Sequence, residues 1–306
     1  VLVALVGATG LLACDREEPE PFEVTELRVL GVRAEPAEVT TALAQGEPVV
    51  FDALVVRAEG EVTYAWSLCP IAGPMTLGYP CFSDEIPEDV VAKLPEDLAR
   101  CLLGETGDEA IFAPEICSYA TYELLMAGAK DAGVVPIDLD PEKGFEMFVR
   151  LVVTDESDRR VEAVKQLRVS SAETPNVNPV LAGVTIRPKG AEPEVASPWT
   201  PEEVRAIGVD TAPVLMAAYE EAEAETYDEV VDGDTVESVE ELLFSWYVTS
   251  GRFQRARTAP DLMDNAYTPD GEGASGEGKL WIVVRDGRGG LGWIERRFSI
   301  TGAESP

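Results

Sequence analysis

Histidine is absent from this chain of 306 residues. That absence removes Ser-His-Asp and Cys-His catalysis, histidine-bearing zinc sites and imidazole acid–base chemistry. Positive charge is scarce as well: 24 Lys and Arg face 57 Asp and Glu, a formal net charge of −33. Such an excess repels phosphate backbones and anionic headgroups, which excludes nucleic acid as a partner and any polybasic membrane contact. No apolar run approaches the ~20 residues of a membrane-spanning helix. Neither Gly-x-Ser-x-Gly nor a complete P-loop occurs. With 57 acids, carboxylate pairs for glycoside hydrolysis are countless, so no single pair is informative. The expectation is a non-catalytic protein without a cofactor. What is present is 45% hydrophobic residues, enough for packed cores, in a chain long enough for two domains.

The first fourteen residues run Val1-Leu2-Val3-Ala4-Leu5-Val6-Gly7-Ala8-Thr9-Gly10-Leu11-Leu12-Ala13-Cys14, followed by the polar Asp15-Arg16-Glu17-Glu18. A dozen small and apolar residues match a secretory h-region and are too few to span a bilayer. Val1 is not a start methionine and no basic stretch precedes it, so residues 1–13 are expected to be the remnant of a signal peptide. Leu11-Leu12-Ala13-Cys14 resembles the lipobox of bacterial lipoproteins, although Leu12 stands where a small residue is usual. The resemblance implies cleavage before Cys14, acylation of its thiol and new amino group, and anchoring to a membrane of the cell envelope. The outer membrane or cell surface is the favoured address. Asp15 also admits the periplasmic face of the inner membrane under the sorting rule of some Gram-negative bacteria. Residues 14–23 then form an extended tether.

Five cysteines is an odd number, and assigning Cys14 to lipid leaves Cys69, Cys81, Cys101 and Cys117. None forms Cys-x-x-Cys, and the gaps do not suit a zinc ribbon. Two disulfides in an oxidising compartment are expected. Three pairings are possible, and the short loops favour 69–81 with 101–117.

A repeat lies beneath the composition. Val62-Thr63-Tyr64-Ala65-Trp66-Ser67-Leu68 matches Leu242-Leu243-Phe244-Ser245-Trp246-Tyr247-Val248, each an apolar strand around one Trp. Arg150-Leu151-Val152-Val153-Thr154-Asp155 matches Trp281-Ile282-Val283-Val284-Arg285-Asp286, and each Asp is followed 14 positions on by the end of another strand, at Val169 and Ile300. Leu30-Gly31-Val32-Arg33-Ala34-Glu35-Pro36 stands likewise beside Ala182-Gly183-Val184-Thr185-Ile186-Arg187-Pro188. An ordered match at three places points to duplication of one β unit. Short strands between turns suggest a Greek-key sandwich with Trp66 and Trp246 as core plugs.

Both units resemble the bacterial PKD-like, immunoglobulin-like domains, most clearly over Leu242 to Gly251 and Lys279 to Gly290. The likeness spans about two-thirds of residues 24–301 and implies an extracytoplasmic spacer or adhesion module. The fold expected is therefore mostly β: two tandem Ig-like (PKD-like) Greek-key sandwiches at 24–172 and 179–301, a linker at 173–178 and a tail at 302–306.

The units differ in their insertions. Residues 69–144 hold all four remaining cysteines, and Pro87-Glu88-Asp89 and Pro95-Glu96-Asp97 look like helix first turns. Val90, Val91, Leu94, Leu98 and Leu102 then fall at helical spacing, and a third helix is expected over Pro114 to Met126. This predicts a disulfide-stapled α-helical subdomain on the first sandwich. In residues 197–241 of the second unit, Thr200-Pro201-Glu202-Glu203 is a capping box that predicts a short helix. Residues 220–241 carry eleven acids and no base, which predicts a solvated acidic loop. The same loop offers weak Ca²⁺ candidates, Asp232, Asp234 and Glu237, but Val236 breaks the EF-hand pattern. Asp155 and Asp286 are expected to be turn caps. Trp281, Trp293 and Tyr267, with Trp199, Tyr219 and Tyr227, are candidates for an aromatic ligand platform, since Trp281 alternates out of phase with Ile282 and Val284.

Three functions fit. The leading expectation is a lipid-anchored envelope protein whose sandwiches act as interaction, adhesion or spacer modules toward an unknown envelope protein or glycan. The alternatives are a carbohydrate- or peptide-binding surface lipoprotein and a calcium-dependent adhesion module.

Overall fold

The computed structural model describes residues 22–40, 48–57, 59–73, 80–81, 86–104, 106–112, 117–131, 145–170, 174–231, 234–270 and 276–302. The first unit contains β1 (Arg28–Glu35), β2 (Glu38–Thr40), β3 (Val49–Val56) and β4 (Val62–Cys69). An insertion with α1 (Glu88–Val91), α2 (Glu96–Leu103), β5 (Thr106–Gly107), β6 (Ile111–Phe112) and α3 (Tyr119–Asp131) follows, and β7 (Phe145–Asp155) and β8 (Arg160–Ser170) close the unit. One sheet has the order β2-β8-β7-β4-β5 and its partner the order β1-β3-β6.

The second unit runs β9 (Gly183–Arg187), β10 (Ser197–Trp199), β11 (Val204–Gly208), β12 (Val214–Ala218), β13 (Thr226–Val231), β14 (Asp234–Val239), β15 (Leu243–Val248), β16 (Arg252–Phe253), β17 (Arg257–Thr258), β18 (Asn265–Thr268), β19 (Gly276–Arg285) and β20 (Leu291–Thr301). Its sheets are β11-β20-β19-β15-β17 and β10-β9-β12-β18-β16. In both units a short strand runs parallel to the last strand, and the Trp-bearing strand pairs antiparallel with the strand that ends in Asp. The fold is two Ig-like Greek-key sandwiches, and the duplicated segments occupy equivalent strands.

Alternation explains the packing. In β7, Phe145, Met147, Val149, Leu151 and Val153 all point into the first core while the residues between them are half-buried or exposed. Trp66 joins them against Phe51, with ring centroids 5.9 Å apart. In the second core Trp246 packs on Phe253 and donates its indole N–H to Thr258 Oγ1 at 2.8 Å. Each such apolar side chain stabilises the fold by ~1.5–3 kcal/mol on burial.

The insertion is the disulfide-stapled helical region expected, and it packs into the first sandwich. Cys101, Cys117, Tyr122 and Met126 belong to the first sandwich's own core, and Tyr122 stacks on Phe145 at 4.0 Å. The disulfides are Cys69–Cys81 and Cys101–Cys117, and the second joins α2 to the start of α3. Of the five residues placed at helical spacing, only Leu102 is fully buried, and Val90 is exposed.

The capping box at Thr200 forms a turn rather than a helix. The Glu203 N–H bonds the Thr200 carbonyl and the chain goes straight into β11, where pairing with β20 outweighs the local helix signal. The acidic segment is likewise not a loop. Its Tyr-Asp-Glu-Val-Val and Thr-Val-Glu-Ser-Val runs carry enough β-prone residues to pair as a hairpin, β13 with β14.

Candidate functional site

The densest concentration of buried polar and apolar groups outside the two cores lies where the sandwiches meet. It starts with β19. Leu280, Ile282 and Val284 fill the second core, whereas Trp281 and Val283 point the other way, and both sets are buried. Alternation alone puts Trp281 on the outer face, as expected from the sequence. That face, however, is covered by the first sandwich rather than by solvent: Trp281, Val283 and Leu291 pack with Val24, Leu30 and Val56. The Trp281 indole donates to Glu295 Oε2 at 2.8 Å. At the edge, the Arg33 guanidinium lies 4.6 Å from the centre of the half-buried Trp293 ring.

Two residues named for the aromatic platform are thereby withdrawn from solvent. Trp281 lies in the junction, and Tyr267 lies in the second core with its hydroxyl donating to the Ser250 carbonyl at 2.8 Å. Burial raises the Tyr267 pKa, with the charge of Asp270 adding to the effect. Trp199 is buried too, and the gap it shares with Leu215, Phe253, Tyr267 and Phe298 has no room even for water.

Beside this apolar patch runs a polar network. Asp286 caps its turn as expected, Oδ1 accepting from the N–H groups of Arg288, Gly289 and Gly290 at 2.8 to 3.0 Å. Its Oδ2 accepts from Asn176 Nδ2 at 2.9 Å. The linker is therefore no loose spacer: Asn176 and Asn178 are buried, and Asn178 donates to the Ala34 carbonyl while accepting from Leu291 N–H. Arg288 reaches Glu38 of the first sandwich at 3.3 Å and Glu240 at 3.0 Å, and covers the Tyr227 ring at 4.4 Å. Glu38 also accepts from Ser170 Oγ and from Asn176 N–H. Lys165 donates to the Gly289 carbonyl across the junction.

Burial pushes the Glu240 carboxyl up to about 7 against the opposing pull of Arg288 and a backbone N–H. Burial likewise drops Lys165 to about 8. By contrast Asp155, the equivalent turn cap, is held down at about 2, chiefly by the hydrogen bonds from Arg159.

The tether also changes. Phe22 enters the second core, and Val24 N–H donates to the Val248 carbonyl at 2.8 Å while Val248 N–H donates to the Phe22 carbonyl at 2.9 Å. Residues 22 and 23 are thus held on the second sandwich by one parallel bridge, Glu23 to Val248, rather than left as a free linker, because Phe22 and Val24 supply apolar surface that an acid-rich tether lacks. Nothing in their local sequence names Val248 as the partner.

Cys14 and Asp232, with the side chain of Asp234, lie outside the described residues; Glu237 is exposed on β14. Among the described residues no group of three acidic or cysteine side chains is placed to hold a metal ion. Gly271-Glu272-Gly273-Ala274-Ser275-Gly276 has the Gly-x-Gly-x-x-Gly spacing of a dinucleotide loop. It leads into strand β19, whereas phosphate binding needs a helix N-terminus there.

No protein-family description matches the chain, and no curated protein matches it. Among solved structures, dimeric latent PorU from Porphyromonas gingivalis aligns over 92% of this chain and 24% of its own, at 11% identity and a TM-score of 0.21. Zebrafish RET cadherin-like domains 1 to 4 align over 80% of this chain and 42% of their own, at 10% identity and a TM-score of 0.15. The chain spans less than half of either. Likeness at this level carries no argument about fold or role. The two disulfides mark an extracytoplasmic protein.

Proposed function

We propose that this chain is a non-catalytic envelope protein, anchored through lipid on Cys14, whose two PKD-like sandwiches form a rigid interaction and spacer module. The observation that carries the reading is the junction. Spacer domains joined by a free linker swing independently, since interfaces within a chain are ordinarily modest and polar. Here an apolar patch, a buried ion network, two linker asparagines and a backbone bridge from Glu23 to Val248 all tie one sandwich to the other. Such a unit holds whatever it presents at a fixed distance and angle from its point of attachment. The first sandwich presents the stapled insertion, whose Leu103, Ile111 and Leu124 are exposed. Loops and insertions on a rigid scaffold are where partner recognition concentrates.

The test is fractionation of cells making the full chain behind its native leader. The protein should sediment with membranes and be released by detergent, and Cys14→Ser should move it to the soluble fraction. Unchanged partitioning of that variant overturns the anchor. Partner capture should be lost on replacing residues 70–142 with a short Gly/Ser loop, with the second sandwich still folded.

A further inference from the structure

Most edge strands of the two sandwiches are guarded, the five-residue β11 being an exception. β2, β5, β6, β16 and β17 are two or three residues long, and β10 carries Pro198 in its three residues. β1 is long but irregular at Gly31, and Arg285 of the second sandwich donates to its Leu30 carbonyl. Shortness, proline, irregularity and covering are the usual protections of a sheet edge against pairing with another chain. The hairpin β13–β14 departs from this pattern over a longer stretch than β11 does. Its six pairs run without a shift from Thr226↔Val239 to Val231↔Asp234, and its strands contain no Pro, Lys or Gly.

The ladder fixes which groups face outward. Glu240 N–H donates to the Glu225 carbonyl at 2.9 Å, so Tyr227 with Ser238 and Glu229 with Val236 form the inward-bonded pairs. The N–H and C=O groups of Thr235, Glu237 and Val239 then point away from β13, and among the described residues no strand pairs with them. Val236, Glu237 and Val239 are exposed. At the foot, Glu223 and Glu225 accept from the linker N–H groups of Val180 and Val177, and Tyr227 lies beneath Arg288, so the ribbon is fixed to the junction. A two-stranded ribbon is marginal alone, and a third strand adds stability.

We propose that the outward edge of β14 is a docking strand for a basic, extended segment of a partner protein, which adds as a third strand beside Glu237. Charge selects the occupant. The segment 220–241 carries no base, so a second copy of β14 would set like charges against one another, whereas a cationic strand gains at every acidic position. Main-chain bonds supply affinity and alternate side chains supply selectivity, as in other strand-addition complexes. This goes beyond the anchored-spacer reading and does not share its test.

The probe is an acetylated Lys-Val-Lys-Thr-Lys-Val peptide, titrated into the full chain by calorimetry at low salt, with Glu-Val-Glu-Thr-Glu-Val as control. The lysine peptide should bind saturably and slow amide exchange at Glu237 and Val239; the glutamate peptide should not bind. Val239→Pro removes an outward N–H but no ladder bond and should weaken binding about tenfold, the scale of one hydrogen bond. Glu237→Lys should weaken it as well. Equal affinity for Val239→Pro, or no slowing of exchange in the unmodified chain, means charge attraction alone and overturns strand addition. Self-association seen by sedimentation, with those amides already protected, gives the edge to a second copy and overturns it too. Failure here leaves the Cys14 fractionation result unaffected.

Discussion

The closing turns of the two sandwiches start from the same Asp and end in different roles. In the first, Asp155 bonds the N–H groups of Ser157 and Arg159, receives Arg159 from its own turn and accepts Glu59 N–H from the neighbouring loop. In the second, Asp286 bonds three N–H groups of its turn and then takes hold of the linker through Asn176. The arginine two residues further on, Arg288, leaves the turn altogether to reach Glu38 in the other sandwich. The turn residues differ to match. The first turn reaches positive φ at Asp158, whereas the second uses Gly287 and Gly289, and the missing side chain of the adjacent Gly290 lets the Val177 carbonyl of the linker approach. Both units keep the cap, and the turn of the second is part of the joint.

The comparison is sharpest where each copy is broken in turn. Trp66→Ala and Trp246→Ala should each cost ~3–5 kcal/mol in urea unfolding, with Trp246 the larger because Thr258 also loses its donor. Next comes the arginine pair. Arg288→Met takes the cation from buried Glu240 and leaves buried Glu38 only Arg168, and should cost ~3–5 kcal/mol, whereas Arg159→Met removes a half-exposed side chain from a cap that keeps its backbone bonds and should cost a fraction of that. Equal losses for the two would mean that the junction network carries no special weight.

A pH scan separates the two ends of the molecule further. Glu240, raised to about 7, binds its proton more tightly when folded than when unfolded, so its contribution is greatest in acid and is lost as pH rises through 7. Asp155, lowered to about 2, contributes above the ordinary carboxylate range and loses that only as pH falls toward 2. Lys165, lowered to about 8, acts in the opposite sense and adds stability only as pH rises above 8. The melting temperature should therefore fall by a few degrees between pH 5 and 7.5, and Glu240→Gln should flatten that slope. The smallest effect is expected at Gly31, where an added Cβ would sit 3.0 Å from Leu291; Gly31→Ala should cost ~1 kcal/mol by pressing the sandwiches apart.

Strand identity, both Trp plugs, both Asp caps and the disulfide pairing were legible because each depends on residues close in sequence or on a repeated period. Trp281 shows the boundary of that legibility. Its phase relative to Ile282 was readable, but what covers the outer face is decided by residues 24 to 56, and no local pattern encodes that pairing. Thr200 to Glu203 fails for a related reason: a capping signal is worth about 1 kcal/mol, less than a strand gains beside β20. The acidic hairpin was hidden by its charge, which masked the alternating Val and Thr beneath.

The docking of Phe22 and Val24 onto Val248 also orders events in time. These residues emerge during synthesis well before their partner, which lies more than two hundred positions further on, and closing so long a loop is slow. They must wait, unpaired, until the second sandwich has condensed. A chain truncated before β15 has nowhere to set this bridge.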